Sequence, residues 1–217
     1  KTIENICLIL EGKTDALIKK LTQEMDLKSK EQKFEEAAKI RDQIEALSAM
    51  TESSIRFSRK DELEDLRNLL QLAKLPERIE AFDISNISGK EATGSMISFY
   101  KGMPDKNNYR RFRIKTIHSI DDYKMLAEVV RRRYSRLIRE NMAFPDLALI
   151  DGGRPHLLTA EREMDKLGIN IPLVSIAKDK ENIYVQGRIK PIRLDSDIPA
   201  LNLIRRIRDE AHRFALA

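Results

Sequence analysis

Cysteine is almost absent from this chain of 217 residues, in which Cys7 is the single example. One cysteine cannot form an internal disulfide, so we expect a protein of a reducing compartment and a cytoplasmic location. No group of cysteines and histidines has the spacing of a zinc site, and nothing near Cys7 indicates a catalytic thiol. The sequence therefore argues against zinc-finger chemistry and against cysteine-based catalysis.

Long apolar runs are also missing. The sequence has no run of roughly 18 apolar residues, so we expect no membrane span. The first residues, KTIENICLILEGK, hold a short apolar stretch interrupted by charge and no small-residue cleavage site, and we expect no signal peptide there. GGRPH, at residues 152–156, lacks the glycine-rich run ending in Lys-Ser/Thr that defines a Walker loop.

Charge, by contrast, is abundant and unevenly distributed. Charged residues make up 35% of the chain, above the roughly 25% of ordinary soluble proteins. Residues 1–75 hold 14 basic and 15 acidic residues, whereas residues 101–139 hold 12 basic and 4 acidic residues. A concentrated basic region suggests a polyanionic partner, most often nucleic acid. A solvated, highly charged surface would explain the same pattern.

Apolar residues at helical spacing occur in two stripes near the start of the chain. The first stripe consists of Leu17, Ile18, Leu21 and Met25, and the second of Phe34, Ala37, Ala38, Ile44 and Leu47. We expect a small helical hairpin over residues 1–50, which would be marginal alone and would gain stability from a partner. A connecting helix should follow over residues 51–75, with Ser58 and Asp61 as its capping box and Pro76 at its end.

The pattern changes to strands from residue 76 onward. Apolar or alternating runs predict strands at residues 79–84, 93–100, 109–117, 147–150, 171–177 and 182–186. Helices are expected from about Asp121 to about Glu140, over residues 155–167 and over residues 199–217. Strands first and helices interspersed later predict an α/β domain over residues 76–217, with a mixed sheet flanked by helices.

The basic residues fall on two of these elements. Alternation in YRRFRIKTI places Arg111, Arg113 and Lys115 on one face of a strand. The long helix should bury one stripe, made of Tyr123, Leu126, Val130, Tyr134 and Leu137. Its second half holds five arginines, which are Arg131, Arg132, Arg133, Arg136 and Arg139.

Two apolar runs end on an aspartate, IEAFDIS at Asp83 and LALIDGG at Asp151. A carboxylate at the end of a buried strand is costly unless it is paired, hydrogen-bonded or metal-bound. Sites in sheets covered by helices lie at the carboxyl ends of strands, so the two acids could share one site. Each could equally cap a turn.

Further candidates are Asp121 and Asp122, at the start of the long helix, and His212, on the last helix. Acids are favoured at helix N-termini whatever their function, and a lone histidine is more often a surface or packing residue. Taken together, however, two strand-end carboxylates and an imidazole suit Mg²⁺ or Mn²⁺. Such an ion promotes phosphodiester hydrolysis, and a neighbouring basic surface would hold the DNA backbone.

Several blocks of the sequence resemble one family. They are FDISNISGKEATGSM, YRRFRIKT, DDY…EVVRRRY, PDLALIDGG and ALNLIRRIRDEAHRFA, over about residues 76–217. Their types and order resemble the UvrC family, the excinucleases of bacterial nucleotide excision repair. FEEAAKIRDQI, upstream, is similar to the UVR motif of that family.

The resemblance implies an RNase H-like fold and metal-dependent incision of damaged double-stranded DNA on the 5′ side of the lesion. It places the catalytic and metal-binding set on Asp83, Asp151 and His212, and it implicates Asp122 in activity. The DNA-binding set becomes Arg110, Arg111, Arg113, Lys115, Arg131, Arg132, Arg133 and Arg154. The hairpin is expected to bind UvrB through Phe34, Ala37, Ala38, Arg41 and Ile44.

The chain also departs from the family pattern. It shows neither the N-terminal nuclease domain for the 3′ incision nor the C-terminal helix-hairpin-helix modules, so we expect a central fragment. After IDGG the family usually continues Lys-Gly-Gln, where this chain has Arg154, Pro155 and His156; arginine keeps the charge but not the geometry of lysine. The alternative is a non-catalytic module that binds DNA or UvrB on a degenerate RNase H-like fold.

Overall fold

The computed structural model describes residues 5, 8–9, 13–87, 91–114, 121–177, 182–193 and 198–217. These residues belong to two units, Lys1–Ser58 and Arg59–Ala217. The helices are α1 (Thr14–Lys30), α2 (Phe34–Leu70), α3 (Asp122–Arg139), α4 (Arg154–Lys166) and α5 (Pro199–Leu216). The strands are β1 (Arg78–Ile87), β2 (Glu91–Tyr100), β3 (Met103–Pro104), β4 (Arg110–Arg113), β5 (Leu147–Asp151), β6 (Leu173–Ala177) and β7 (Asn182–Val185). Within the described residues, no helix has the length and apolar character needed to cross a membrane.

The first unit contains the predicted helical hairpin. The turn between α1 and α2 places Gln32 in the left-handed region, with φ 61°, and the Lys33 amide donates a hydrogen bond to the Lys28 carbonyl. An ion pair between Lys28 and Glu36, 2.7 Å long, joins the end of α1 to the start of α2. Leu17 and Leu21 are buried, as their spacing on one face predicted.

Helix α2 corrects the prediction of two separate helices after the turn. It is continuous from Phe34 to Leu70, so Ser58 lies inside a helix and caps none. Residues 48–58 contain neither glycine nor proline, so nothing in them breaks the helix. The helix also ends before Pro76: its last residue is Leu70, and Gln71 follows in the left-handed region with φ 56°.

The second unit is built on a mixed sheet with the order β3-β2-β1-β5-β6-β7, and β4 also pairs with β2. Strand β1 lies antiparallel to β2 and parallel to β5. Strand β6 continues the parallel part, and β7 pairs antiparallel to it. This arrangement confirms the prediction of a mixed sheet flanked by helices.

Each face of the sheet has its own hydrophobic core because successive strand residues point to opposite faces. Ile79 and Ala81 of β1 pack in one cluster with Leu66 of α2 and Ile207 of α5. Phe82 belongs to the second cluster, with residues of α3 and α4. Each fully buried Leu, Ile or Phe side chain contributes about 1.5–3 kcal/mol, and this burial fixes the helices against the sheet.

A buried ion pair joins α3 to β1. The Arg133 guanidinium donates two hydrogen bonds to the Glu80 carboxylate, with N···O distances of 2.5 and 3.2 Å. The two side chains are 10% and 2% exposed. Arg133 was predicted to contact DNA. Because its guanidinium is hydrogen-bonded to the buried Glu80 carboxylate, we assign it a structural role. Charge patterning along a helix could not reveal this, because Glu80 lies 53 positions away.

We expect Arg133→Met to lower the free energy of unfolding by about 3–5 kcal/mol, because it leaves the Glu80 carboxylate buried without its cation. Urea unfolding measures the change. Arg131→Met is the matched control, since Arg131 is exposed on the same helix and its loss should change stability by less than about 0.5 kcal/mol. Equal, small effects of the two substitutions would contradict the structural role of Arg133.

Candidate active site

Asp83 and Asp151 lie side by side at the centre of the sheet. Strands β1 and β5 are parallel, and their register pairs Phe82 with Ile150. The next residues along each strand are therefore the two aspartates, which point to the same face of the sheet. Asp83 is only 4% exposed, and both carboxylate oxygens of Asp151 are shielded from solvent.

His212 approaches this pair from α5. Its Nδ1 lies 3.4 Å from Oδ2 of Asp83, and its side chain is 49% exposed. The helix is held by Ile204, Ile207 and Ala211, which are buried in the core, so the histidine on the adjoining face is directed to the carboxylates. The structure thus brings together the three residues that the sequence placed 68 and 61 positions apart.

The geometry of the three side chains fits a divalent cation. Asp83, Asp151 and His212 each offer one ligand atom, and these atoms all lie within 4.8 Å of one another. Two carboxylates held this close repel each other unless a positive charge lies between or beside them. Carboxylate oxygens suit Mg²⁺, and Mn²⁺ also accepts an imidazole nitrogen.

A cluster of side chains around Glu210 holds the C-terminal part of α5, which contains His212. The Tyr109 hydroxyl donates a hydrogen bond of 3.0 Å to Glu210, and Arg213 donates two to the same carboxylate. The Tyr109 ring also packs edge-on against Phe214. Burial and the Glu210 hydrogen bond raise the pKa of Tyr109, whereas the Arg213 hydrogen bond lowers the pKa of Glu210. These contacts fix the histidine relative to the sheet.

The Glu210 cluster should make stability depend on pH. Because the pKa of Glu210 is lowered in the folded state, its stabilising contribution is complete well above pH 4.5 and is lost as the pH falls through the folded-state pKa. We expect Glu210→Gln to cost up to about 1 kcal/mol at neutral pH, since Arg213 is largely exposed. Urea unfolding of both proteins in progressively more acidic buffers should show the difference disappearing. A difference that grows in acid would contradict this assignment.

Two adjacent aspartates at the start of α3, Asp121 and Asp122, have different positions that the sequence could not distinguish. Asp121 is the N-cap, and its carboxylate accepts a hydrogen bond from the Lys124 amide. Asp122 is the first helical residue and is exposed. Capping therefore accounts for Asp121 and does not account for Asp122. The Asp122 carboxylate acts electrostatically on His156, as does that of Asp151, so His156 lies within the electrostatic reach of both.

His156 was not among the residues that sequence reasoning selected. Its ring packs so tightly on Gly152, the residue after Asp151, that a Cβ there would lie 2.6 Å from the His156 Cγ. Burial lowers the pKa of His156, although Asp122 and Asp151 both act to raise it. The one signal in the sequence was its position in RPH, where the chain departs from the family pattern.

Tyr123 was predicted to be buried, and that prediction is wrong. It is 45% exposed, whereas Leu126, Val130, Tyr134 and Leu137 of the same stripe are fully buried. The first turn of α3 extends past the core, so the residue at its start does not reach the sheet. The Tyr123 ring instead packs against His156, with centroids 4.7 Å apart and planes at 47°.

An arginine-rich groove lies between β4 and α3, with a volume of about 480 Å³. Its lining consists of Arg110, Arg111, Phe112, Arg131, Arg132, Arg133, Ser135, Arg136 and Arg139. The groove thus collects four of the predicted DNA-binding residues besides the buried Arg133. Arg154 is exposed elsewhere and donates to the Ile189 carbonyl. Lys115 lies outside the described residues.

The strand register places one arginine of the groove on the same face of the sheet as the carboxylates. Arg111 of β4 pairs with Ser95 of β2, and Ser95 pairs with Asp83 of β1. Residues paired in this way share a face of the sheet, and neighbouring strands are about 4.8 Å apart. Arg111 therefore lies about two strand spacings from Asp83, and its guanidinium is held over the Phe214 ring at 4.6 Å.

A mixed sheet whose two central parallel strands carry neighbouring carboxylates, with a histidine supplied by α5, defines an RNase H-like endonuclease domain. Sequence comparison agrees: residues 67–216 match the UvrC RNAse H endonuclease domain, and residues 15–49 match the UvrB/uvrC motif. The chain belongs to the UvrC family. This confirms the family and fold that the sequence blocks indicated.

Curated relatives are named UvrABC system protein C. That of Methanosarcina mazei is 49% identical over 160 residues, which is 74% of this chain and 31% of the relative. That of Methanococcus maripaludis is 51% identical over 154 residues, which is 71% of this chain and 29% of the relative. A solved structure of Ciona intestinalis Endonuclease V in complex with DNA has a TM-score of 0.38 and 15% identity, covering 73% of this chain and 69% of that one. The chain thus spans less than a third of the length of these two relatives.

Proposed function

We propose that the Arg59–Ala217 unit cuts damaged double-stranded DNA on the 5′ side of a lesion, by metal-dependent phosphodiester hydrolysis and in complex with UvrB. The observation that carries this proposal is the convergence of Asp83, Asp151 and His212 within 4.8 Å inside a UvrC RNAse H endonuclease domain. A degenerate binding module would have no need of two carboxylates pressed together at the centre of a sheet, since their repulsion costs stability.

Asp83 and Asp151 would hold the cation from the sheet, with His212 as the third ligand. When bound, Mg²⁺ or Mn²⁺ would polarise the phosphate and make a water molecule a better nucleophile. Asp83 lies within β1 and Asp151 is the last residue of β5, and neither can move without disturbing the sheet, so they fix where the reacting phosphate must lie. His212 is about half exposed, and it is therefore the member of the set that substrate approaches directly. Asp122, exposed at the start of α3, adds a further carboxylate on the substrate side.

The arginine-rich groove would hold the DNA backbone. Arg110, Arg111, Arg131 and Arg132 line it, and guanidinium groups bind phosphate oxygens in pairs of hydrogen bonds. Because Arg111 lies in register with Asp83 and on the same face of the sheet, a backbone phosphate held by Arg111 would lie close to the carboxylates. Arg113 and Arg154 would extend this surface. Contacts of this kind position DNA without reading its sequence, which suits an enzyme that cuts beside lesions of any sequence context.

The hairpin would bind UvrB through the apolar side chains it leaves exposed. Phe34 is 66% exposed and Leu27 57% exposed, and both lie within the match to the UvrB/uvrC motif. Ala37 is buried. Ala38 and Ile44 are partly buried and Arg41 is exposed on the same helix. Aromatic anchors flanked by small residues are typical of helix-in-groove recognition.

The chemistry is tested by a nicking assay on a damaged duplex that is already nicked on the 3′ side and loaded with UvrB. We expect Asp83→Asn to lower the rate of the 5′ cut at least about a thousandfold, since the cation contributes several kcal/mol to the transition state. Asp209→Asn is the control, because Asp209 is a largely exposed acid on α5 and should leave the rate unchanged.

Circular dichroism and UvrB binding must be measured on the same Asp83→Asn protein. A folded variant that binds UvrB and does not cut supports the proposal. An unchanged 5′ cut would overturn the catalytic assignment, and an unfolded variant would mean that Asp83 is structural. Normal DNA binding without any cutting by the unmodified chain would favour the non-catalytic module.

The UvrB interface is tested by calorimetry with purified UvrB. We expect Phe34→Ala to weaken binding about tenfold or more, because truncation removes a large apolar anchor. Gln43→Ala, at an exposed position on the same helix, is the matched control and should bind normally. Binding that is equal in the two variants would remove Phe34 from the interface.

A further inference from the structure

Tyr123 and His156 form a pair of aromatic rings, and the His156 ring is within electrostatic reach of Asp122 and Asp151. Tyr123 directly follows Asp122 on α3, and the His156 ring lies against Gly152, which directly follows Asp151 on β5. The two rings are in contact, with centroids 4.7 Å apart. One ring is thus next in the chain to Asp122, and the other contacts the residue that follows Asp151.

The two residues of the pair differ in exposure. The Tyr123 side is 45% exposed, while His156 is half-buried and fills the space between Tyr123 and Gly152. A single exposed tyrosine needs no explanation by itself. Here, however, the rest of the apolar stripe of α3 is buried, and the exposed ring is backed by a second ring on which Asp122 and Asp151 both act electrostatically.

We propose that Tyr123 and His156 form a stacking subsite for the base of the nucleotide next to the bond that is cut. This inference rests on the proposed function, because it takes a DNA strand held at Asp83 and Asp151 as its starting point. A base is attached to the backbone one sugar away from the scissile phosphate, so it could reach an aromatic pair that contacts Gly152 and lies within electrostatic reach of Asp151. Every base has a π-face, so the subsite would hold the strand without selecting a sequence.

The two residues have different parts in this subsite. Tyr123 would touch the base, whereas His156 is a positioning residue that supports the tyrosine ring from behind. The support depends on Gly152, since any side chain there would meet the histidine ring at 2.6 Å. Tyr123→Phe should therefore keep the subsite, and Tyr123→Leu should remove it.

The first test measures stacking directly with 2-aminopurine, whose fluorescence is quenched when it stacks. The probe replaces the base on either side of the 5′ cut in the UvrB-loaded duplex, and the chain has Asp83→Asn so that the DNA stays intact. We expect added quenching at one of the two positions, retained with Tyr123→Phe and lost with Tyr123→Leu. Tyr100→Leu is the matched control, because Tyr100 is also 45% exposed but pairs with Arg78 at the far end of β1.

The second test separates stacking from a structural role of the tyrosine. With Asp83 intact, Tyr123→Leu should lower kcat/KM for the 5′ cut about tenfold. On a substrate that lacks the base at the responsive position, the same substitution should have no further effect. An equal loss on both substrates would overturn the inference, because Tyr123 would then act only by holding Asp122 in place.

The outcomes also distinguish this inference from the proposed function. A 5′ cut that depends on Asp83 but is accompanied by fluorescence indifferent to Tyr123 overturns the subsite alone. Quenching that depends on Tyr123, together with a cut that is insensitive to Asp83→Asn, supports the subsite and overturns the catalytic assignment. If no variant binds the loaded duplex, both fall.

Discussion

The in-register parallel pairing of β1 with β5 is the constraint on which the rest of the second unit depends. It brings Asp83 and Asp151 together on one face of the sheet, where two unit charges a few ångströms apart repel by a few kcal/mol even at an effective dielectric constant of about 20. The sheet can hold this arrangement because the backbone pairing and two hydrophobic cores supply far more free energy. The repulsion is confined to two side chains, whereas the stabilising free energy comes from the whole sheet and both cores. Strain at a functional site is commonly offset by the surrounding structure in this way.

The elements around this pairing are fixed by contacts that lie away from the carboxylates. Helix α5 is held at its end by the Tyr109–Glu210–Arg213 cluster, and α3 is tied to β1 by the Glu80–Arg133 ion pair. Two helices, α3 and α5, therefore approach the sheet around the site, and each has its own anchor. Rigid support of this kind keeps reactive groups within the small tolerances that catalysis requires.

The sequence predicted those parts of the site that depend on strand periodicity. An apolar run ending in a single acid is a local pattern, so Asp83 and Asp151 could be found without a structure. The role proposed for His212 needed the family resemblance, because one histidine on an amphipathic helix has no distinguishing pattern. Tyr123 and Arg133 were misjudged because helical periodicity cannot tell where a helix extends past its core or which distant charge it meets. The unbroken α2 was missed because a good capping residue can also lie inside a helix.

Strand β4 has a consequence for association between molecules. Among the described residues, β3 pairs with β2 at Phe99 and Tyr100, and β4 pairs with it from Thr93 to Met96, so the outer side of β2 is covered. The new edge belongs to β4, whose sequence is RRFR, and positively charged edge strands repel one another instead of adding to a neighbour's sheet. The arginines proposed to hold DNA thus also protect the sheet from edge-to-edge aggregation, and neutralising them would reduce solubility as well as affinity.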